Sequence, residues 1–375
     1  MLVTLKSSRP RRHGGWRRGD PIGSRRFLEL FQEHPLALES GERLGPITMA
    51  YETWGRLNPA GTNGVLLLHG FSGDSHAAGP AGPGHACRGW WDGLIGPGLA
   101  IDTDRYFVVC TNVLGGCQGS TGPGSEAPDG KPWGSRFPWL TIRDQVEAEV
   151  AFANRLHVAT WHAVIGGSMG GMRAMEWAIS HPERVRRLIL LATTARCSAE
   201  NIAFHQCQIQ AIRLDPAFLG GDFYDHPNGG PLDGLALARS IARLTYGCER
   251  EIGQRFTQTG TEASQSSLAA FLAEESRGIV ERFDANSYIV LTQAMSGHNV
   301  GRGRGGVTMA MARITARVRV VSVSSDRLFP PQRQRELAQS LGDAVTFTSI
   351  DSHLGHDGFL SEHRQLESIL RQSLG

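Results

Sequence analysis

Apolar residues in this chain gather into short runs separated by stretches of helical period. Residues 65–68, 106–110, 163–166, 188–192, 318–323 and 345–350 are such runs, rich in valine, leucine and isoleucine. Continuous apolar character over so few residues predicts strands buried on both faces of a parallel sheet, because a half-exposed strand would alternate apolar with polar positions. Helical intervals between the runs, such as 143–156 and 332–341, complete a βαβ order. Residues 47–54 (ITMAYETW) read as an antiparallel strand joining the sheet's edge. The alternation stops between about residues 198 and 306, where ENIAFHQCQIQAIR, GLALARSIARLTYG and SLAAFLAEESRGIVERF are all helical in period. A helical block set into a regular α/β order predicts a cap over the functional end of the sheet. The expected division is a disordered, arginine-rich tail at 1–28, an α/β core at 29–198 and 306–375, and a helical cap at 199–305.

Composition narrows the function. The 375 residues carry 38 basic and 36 acidic side chains. Eight of the basic residues and one acid fall within residues 1–26, which leaves the rest of the chain at a net charge of −5. An acidic body argues against nucleic-acid binding, whose affinity rests on neutralising phosphates. The basic leader reads either as a disordered tail or as a stretch upstream of the true start. Six cysteines without a C-x-x-C pair read as reduced thiols in a cytoplasmic protein. No apolar run approaches the ~20 residues of a membrane span. No metal cluster, phosphate loop or dinucleotide fingerprint is present, so no cofactor and no metal is expected. GRGRGGV at 301–307 reads as a loop, Asp144 as a helix-start acid, and Trp90-Trp91 as packing.

The chemistry enters at Ser168. Gly166-Gly167-Ser168-Met169-Gly170 matches G-x-S-x-G, with a buried run before it and a helical segment after it. In that context the serine sits on a tight strand-to-helix turn, where flanking side chains would collide, and its hydroxyl stands at the sheet's upper edge. A serine hydroxyl needs a base, and the base needs an orienting acid. In the α/β-hydrolase arrangement these follow in the order Ser, Asp/Glu, His. Asp326, just after the run at 318–323, and His356, in the loop after the next run, occupy those places. His353 is the rival base; glycines flanking His356 favour the latter. The oxyanion donors are expected to be the backbone N–H groups of Met169 and Phe71.

Several segments together resemble one family beyond the fold. They are LHGFSGDSHAAGPAGPGHACRGWWDGLIGPG, TNVLGGCQGSTGP, GSRFPWLTIRDQV, GGSMGGMRAMEW, RFDANSYIVLTQAM, SSDRLFP and GHDGFL. From about residue 41 to the C-terminus the chain is similar to the homoserine O-acetyltransferases of methionine biosynthesis. The resemblance implies a two-step transfer from acetyl-CoA to L-homoserine through an acetyl-Ser168 enzyme. It also implies that Arg239 and Tyr246, on a cap helix, and Asp357, beside His356, hold the amino acid. A zwitterion suits such a set, with a guanidinium for its carboxylate and a carboxylate for its ammonium. A homodimer formed through the helical cap is implied as well. Three classes stay in play: an acyltransferase using an acetyl or succinyl donor with homoserine or serine as acceptor, a serine ester hydrolase, and an inactive interaction protein.

Overall fold

The computed structural model describes residues 14–255, 262–342 and 345–375. Eight strands build one sheet: β1 (Arg26–Leu30), β2 (Ile47–Trp54), β3 (Gly64–Leu68), β4 (Phe107–Thr111), β5 (Ala163–Gly167), β6 (Arg187–Leu191), β7 (Arg317–Val323) and β8 (Thr346–Ile350). Their order is β1-β2-β4-β3-β5-β6-β7-β8. The six strands from β4 to β8 along that order run parallel, and β1 and β2 join antiparallel at one edge. This is the α/β-hydrolase fold anticipated from the runs, and every residue of β3 and β5 is buried, as continuous apolar runs require.

Helices cover both faces. On one side α1 (Ile142–Arg155) and α2 (Met169–Ser180) pack Phe152, Met175 and Trp177 against Leu66, Val164 and Leu190. On the other, α11 (His363–Leu374) sets Leu366, Ile369 and Leu370 among residues that include Val65, Ile165 and Val321. Asp144 has the expected place at a helix start. Thr141 accepts from its N–H, and Asp144 in turn accepts from the N–H of Thr141 at 2.8 Å. Trp91 is buried, and its indole N–H donates to the carbonyl of Phe359 at 3.2 Å.

After β6 the chain leaves the sheet for α3 (Ala199–Arg213), α4 (Leu232–Tyr246), α5 (Glu249–Arg255), α6 (Glu262–Val280) and α7 (Ala285–Ser296). It returns through the short α8 (Val307–Met311) to β7; α9 (Pro331–Ser340) and α10 (Gly358–Ser361) complete the set. Ser198 starts α3 with a capping box to Asn201, and Asp284 caps α7 through the N–H of Ser287. A third apolar cluster joins the cap to the sheet's upper edge: Phe223, Phe283 and Tyr288 meet Phe71, Met169 and Met172. The GRGRGG loop is anchored, since Arg302 pairs with Glu39 and Arg304 with Glu176, each at 2.7 Å.

The N-terminal segment departs from its expected character. Residues 1–13 of the expected tail lie outside the described residues; within 14–28, Gly14 and Arg25 are buried and Trp16, Phe27 and Leu28 half-buried, while residues 18–19, 21–24 and 26 are exposed. Trp16 stacks on Phe27 with ring centroids 4.9 Å apart, and its backbone N–H donates to the carbonyl of Cys117 at 2.8 Å. Arg25 donates to the carbonyl of Gly84 at 2.6 Å, and β1 begins at Arg26. Cys117 and Gly84 lie far along the chain, so the local richness in arginine carried no sign of them.

Candidate active site

Ser168 stands between the end of β5 and the first turn of α2, at φ 56°. Positive φ is strained for any residue with a Cβ, by about 1–3 kcal/mol, and such strain concentrates at functional turns. The neighbouring glycines permit the turn. A Cβ on Gly166 would collide with the backbone of Gly170, and one on Gly170 with the carbonyl of Leu68. Backbone bonds hold the serine from both sides. Its N–H donates to Leu191 O at 2.9 Å, and its carbonyl accepts from the Thr193 hydroxyl at 2.8 Å.

The tertiary structure brings the three residues singled out in the sequence into one hydrogen-bonded line. The Ser168 hydroxyl lies 2.9 Å from His356 Nε2, and His356 Nδ1 lies 2.8 Å from Asp326 Oδ2. The other oxygen of Asp326 accepts from the N–H groups of Leu328 and Phe329 at 2.8 and 2.9 Å, so the carboxylate is fixed. All three side chains are buried, whereas the rival His353 is exposed. Burial works against the His356 imidazolium, but Asp326, by charge and hydrogen bond, and Asp357, by charge, outweigh it; the pKa rises above the ordinary 6.5.

The loop leaving β3 passes beside the serine. A Cβ built on Gly70 would lie 3.6 Å from that of Ser168, and Phe71 follows directly. Met169 is the first residue of α2. The two expected oxyanion donors therefore belong to a loop and a helix start that flank the hydroxyl.

Aromatic rings wall in the imidazole. Phe359, Phe329 and Tyr246 have centroids 5.3, 5.4 and 5.7 Å from that of His356. The guanidinium of Arg239 lies 5.2 Å from the Tyr246 ring, and its Nε is buried without a hydrogen-bond partner among the described residues. The Tyr246 phenol is pushed up by burial, with Arg239 opposing and Asp357 reinforcing the shift, which sets both charges near it. Tyr246 thus links Arg239 to His356 through two ring contacts, and Asp357 follows His356 directly in the chain. Phe329 and Phe359 were not singled out beforehand. Their one signal was proximity in sequence to Asp326 and His356, which says nothing of where a ring points.

Two open clefts, of about 890 and 400 Å³, lie elsewhere, and none of Ser168, Asp326 or His356 lines either. One buried cluster has the donor types of a metal site: Glu52, His76 and His85. Its geometry is that of a hydrogen-bonded core. The two imidazoles stack 9° from parallel with centroids 3.8 Å apart, so the in-plane lone pairs of their ring nitrogens do not point at one common nearby position, as a shared metal ion requires. His76 bonds Glu52 at 2.9 Å, and His85 Nε2 accepts from the Ser24 N–H at 3.0 Å.

Comparison with known proteins follows the same line. The family model for the alpha/beta hydrolase fold matches residues 63–363. The chain is 53% identical over 367 residues to the homoserine O-acetyltransferase of Thermobifida fusca (strain YX), with 96% of each chain covered. Among solved structures, the homoserine O-acetyltransferase from Bacillus anthracis superposes with a TM-score of 0.85 at 30% identity, covering 94% of this chain and 97% of that one. Esterase E22 superposes with a TM-score of 0.86 at 28% identity, covering 94% and 99%. With identity sustained over nearly its whole length, this chain belongs to the homoserine O-acetyltransferases, a family of acyltransferases on the α/β-hydrolase fold.

Proposed function

We propose that this protein transfers an acetyl group from acetyl-CoA to the hydroxyl of L-homoserine, a step of methionine biosynthesis, through an acetyl-Ser168 intermediate. His356 takes the Ser168 proton as Oγ attacks the thioester carbonyl, and Asp326 holds the imidazole with Nε2 toward the serine. The tetrahedral oxyanion is met by the N–H groups of Met169 and Phe71. Collapse expels the CoA thiolate, which leaves with the proton from His356. Homoserine then gives its hydroxyl proton to His356 and attacks the acetyl carbonyl. O-acetyl-L-homoserine departs and Ser168 is restored. CoA enters as a substrate, and no resident cofactor or metal takes part.

The observation that carries this reading is the set of groups around His356: Tyr246 beside its ring, Arg239 over Tyr246 with a buried Nε that has no partner among the described residues, and Asp357 next in the chain. An unpaired buried guanidinium donor is costly unless a ligand oxygen completes it. Homoserine carries the carboxylate for Arg239 and the ammonium for Asp357. Water would leave both charges without a partner. A hydrolase is the second reading, supported by the likeness to esterase E22; a succinyl donor or a serine acceptor would keep the mechanism and change a substrate.

The test is CoA release from acetyl-CoA and succinyl-CoA, each with homoserine, with serine and with water alone. Acetyl-CoA turnover is expected to rise at least about tenfold when homoserine is added. Equal release without an amino acid would overturn the transferase reading. The pH profile gives a second check. His356 must be neutral to accept a proton, and its pKa is raised, so the acid limb of kcat/KM is expected above pH 6.5. Below the limb the rate falls about tenfold per pH unit. A limb below 6.5 would contradict the assigned base.

Exposed apolar side chains, Ile202 and Phe204 on α3 with Leu237 and Leu244 on α4, support a homodimer through the cap. No helix among the described residues is long and apolar enough to cross a membrane.

A further inference from the structure

The helix that begins at Met169 carries, one turn later, a fully buried arginine that the mechanism above does not use. Arg173 donates to Glu149 Oε1 at 2.6 Å through one terminal nitrogen, and to the backbone carbonyl of His69 at 2.7 Å through the other. Glu149 is fixed in turn by the Trp177 indole N–H at 2.8 Å. His69 is the first residue after β3, two before Phe71. Its ring grips the same loop. Nδ1 bonds Gly70 O at 2.7 Å, and Nε2 accepts from the Val113 N–H at 3.2 Å. That arrangement needs a neutral ring with its proton on Nδ1. Burial, reinforced by the charge of Arg173 and opposed by the bond to Gly70, holds the pKa down to about 3.

We propose that Arg173, braced by Glu149, is a positioning residue for the oxyanion hole. It ties the loop that carries the Phe71 N–H to the helix that carries the Met169 N–H, so that the two donors keep a fixed separation. The proposal rests on the acyl-transfer reading of Ser168. A forked, charged donor suits the task because its two arms hold two elements at once, and charge-assisted bonds in a dry site are short and stiff. Oxyanion donors act only when aimed beforehand at the developing charge, so a loosened loop lowers the rate and leaves ground-state binding in place.

Three variants test it. Arg173→Lys keeps the charge beside Glu149 and lacks the second arm. Arg173→Met combined with Glu149→Gln removes both charges together. His69→Gln releases the loop from its other side with no change in net charge. Acylation is followed with acetyl-CoA and, separately, with p-nitrophenyl acetate. Rates are expressed per active site, counted by end-point labelling of Ser168 with a fluorophosphonate. The expected result is a fall in kcat of about 30- to 100-fold per site, with KM for homoserine within about twofold and the acid limb of the pH profile unmoved. A variant with fewer labelled sites but the wild-type rate per site would show a purely structural role and overturn the proposal. The ester separates the two readings: wild-type enzyme that cleaves the ester yet ignores acetyl-CoA refutes the proposed donor, while the effect of Arg173 on the ester still decides its role.

Discussion

Ser168→Ala is expected to lower CoA release by about 10⁴- to 10⁶-fold while leaving the protein folded. The size of the loss follows from the two-step path. Without Oγ there is no acetyl-enzyme, and His356 can only assist direct attack by a weaker, unpositioned nucleophile. The fold survives because the bonds that shape the turn are backbone bonds, from Ser168 N–H to Leu191 and from Thr193 to the Ser168 carbonyl. Asp326→Asn is the informative companion, with a loss of about 10⁴-fold. Asp326 accepts on both oxygens, from His356 on one and from Leu328 and Phe329 on the other. An amide would have to turn its NH₂ toward one of those donors, and the imidazole would lose its tautomer or its anchor. A coupled thiol assay and a thermal melt measure both outcomes. Residual activity above about 1% in the alanine variant would remove Ser168 from the mechanism.

Gly170→Ala is expected to be the most damaging small substitution in the turn, costing about 3 kcal/mol or more. The new methyl would meet backbone: it would overlap the Leu68 carbonyl and lie 2.8 Å from the His69 oxygen. Neither β3, paired on both sides within the sheet, nor the start of α2 can withdraw. The methyl would therefore wedge α2 away from the oxyanion loop, and activity would fall along with stability. Gly278→Ala is the control. That glycine lies exposed on α6 with nothing within 4 Å, so alanine there is expected to stabilise by about 0.5–1 kcal/mol. Denaturant melts of the two variants give the comparison, and a Gly170→Ala protein as stable as wild type would contradict the packing described.

How much of this was legible in the chain depends on the range of the interaction that decides each feature. The buried parallel strands were visible because a strand covered on both faces must be apolar throughout, and β3 through β7 follow runs readable in place; the run at 345–350 also forms a strand, β8, but at the sheet's edge, where only Ile350 is buried. The serine turn was visible because its steric demand is local: glycines must stand where the backbone of Gly170 meets that of Leu68. Strand β1 was not. Its sequence, RFLEL, is short and carries two charges, and it is a strand because Phe27 and Leu28 pair with Ala50 and Met49, and because Trp16 packs against Phe27.

The site divides in the same way. The order Ser168, Asp326, His356 is a property of the chain, yet the choice of His356 over His353 became firm only when one ring was found buried beside the hydroxyl and the other exposed. Arg239, which the resemblance names, and Arg243 sit one turn apart on α4. In the fold Arg243 is buried beside Glu251, while Arg239 lies over the Tyr246 ring with a buried Nε that has no partner among the described residues. Nothing in the sequence marks Arg173. Only packing shows it fully buried, spanning a carboxylate from α1 and a carbonyl from the oxyanion loop. By itself, then, the sequence determined the fold class, the nucleophile and the order of its partners, because these follow from local sterics and from burial that must be apolar. The tertiary structure decided which histidine lies beside the serine, which aromatic rings surround that histidine and what holds Arg173, because a side chain takes its role from partners that the chain brings to it from far away.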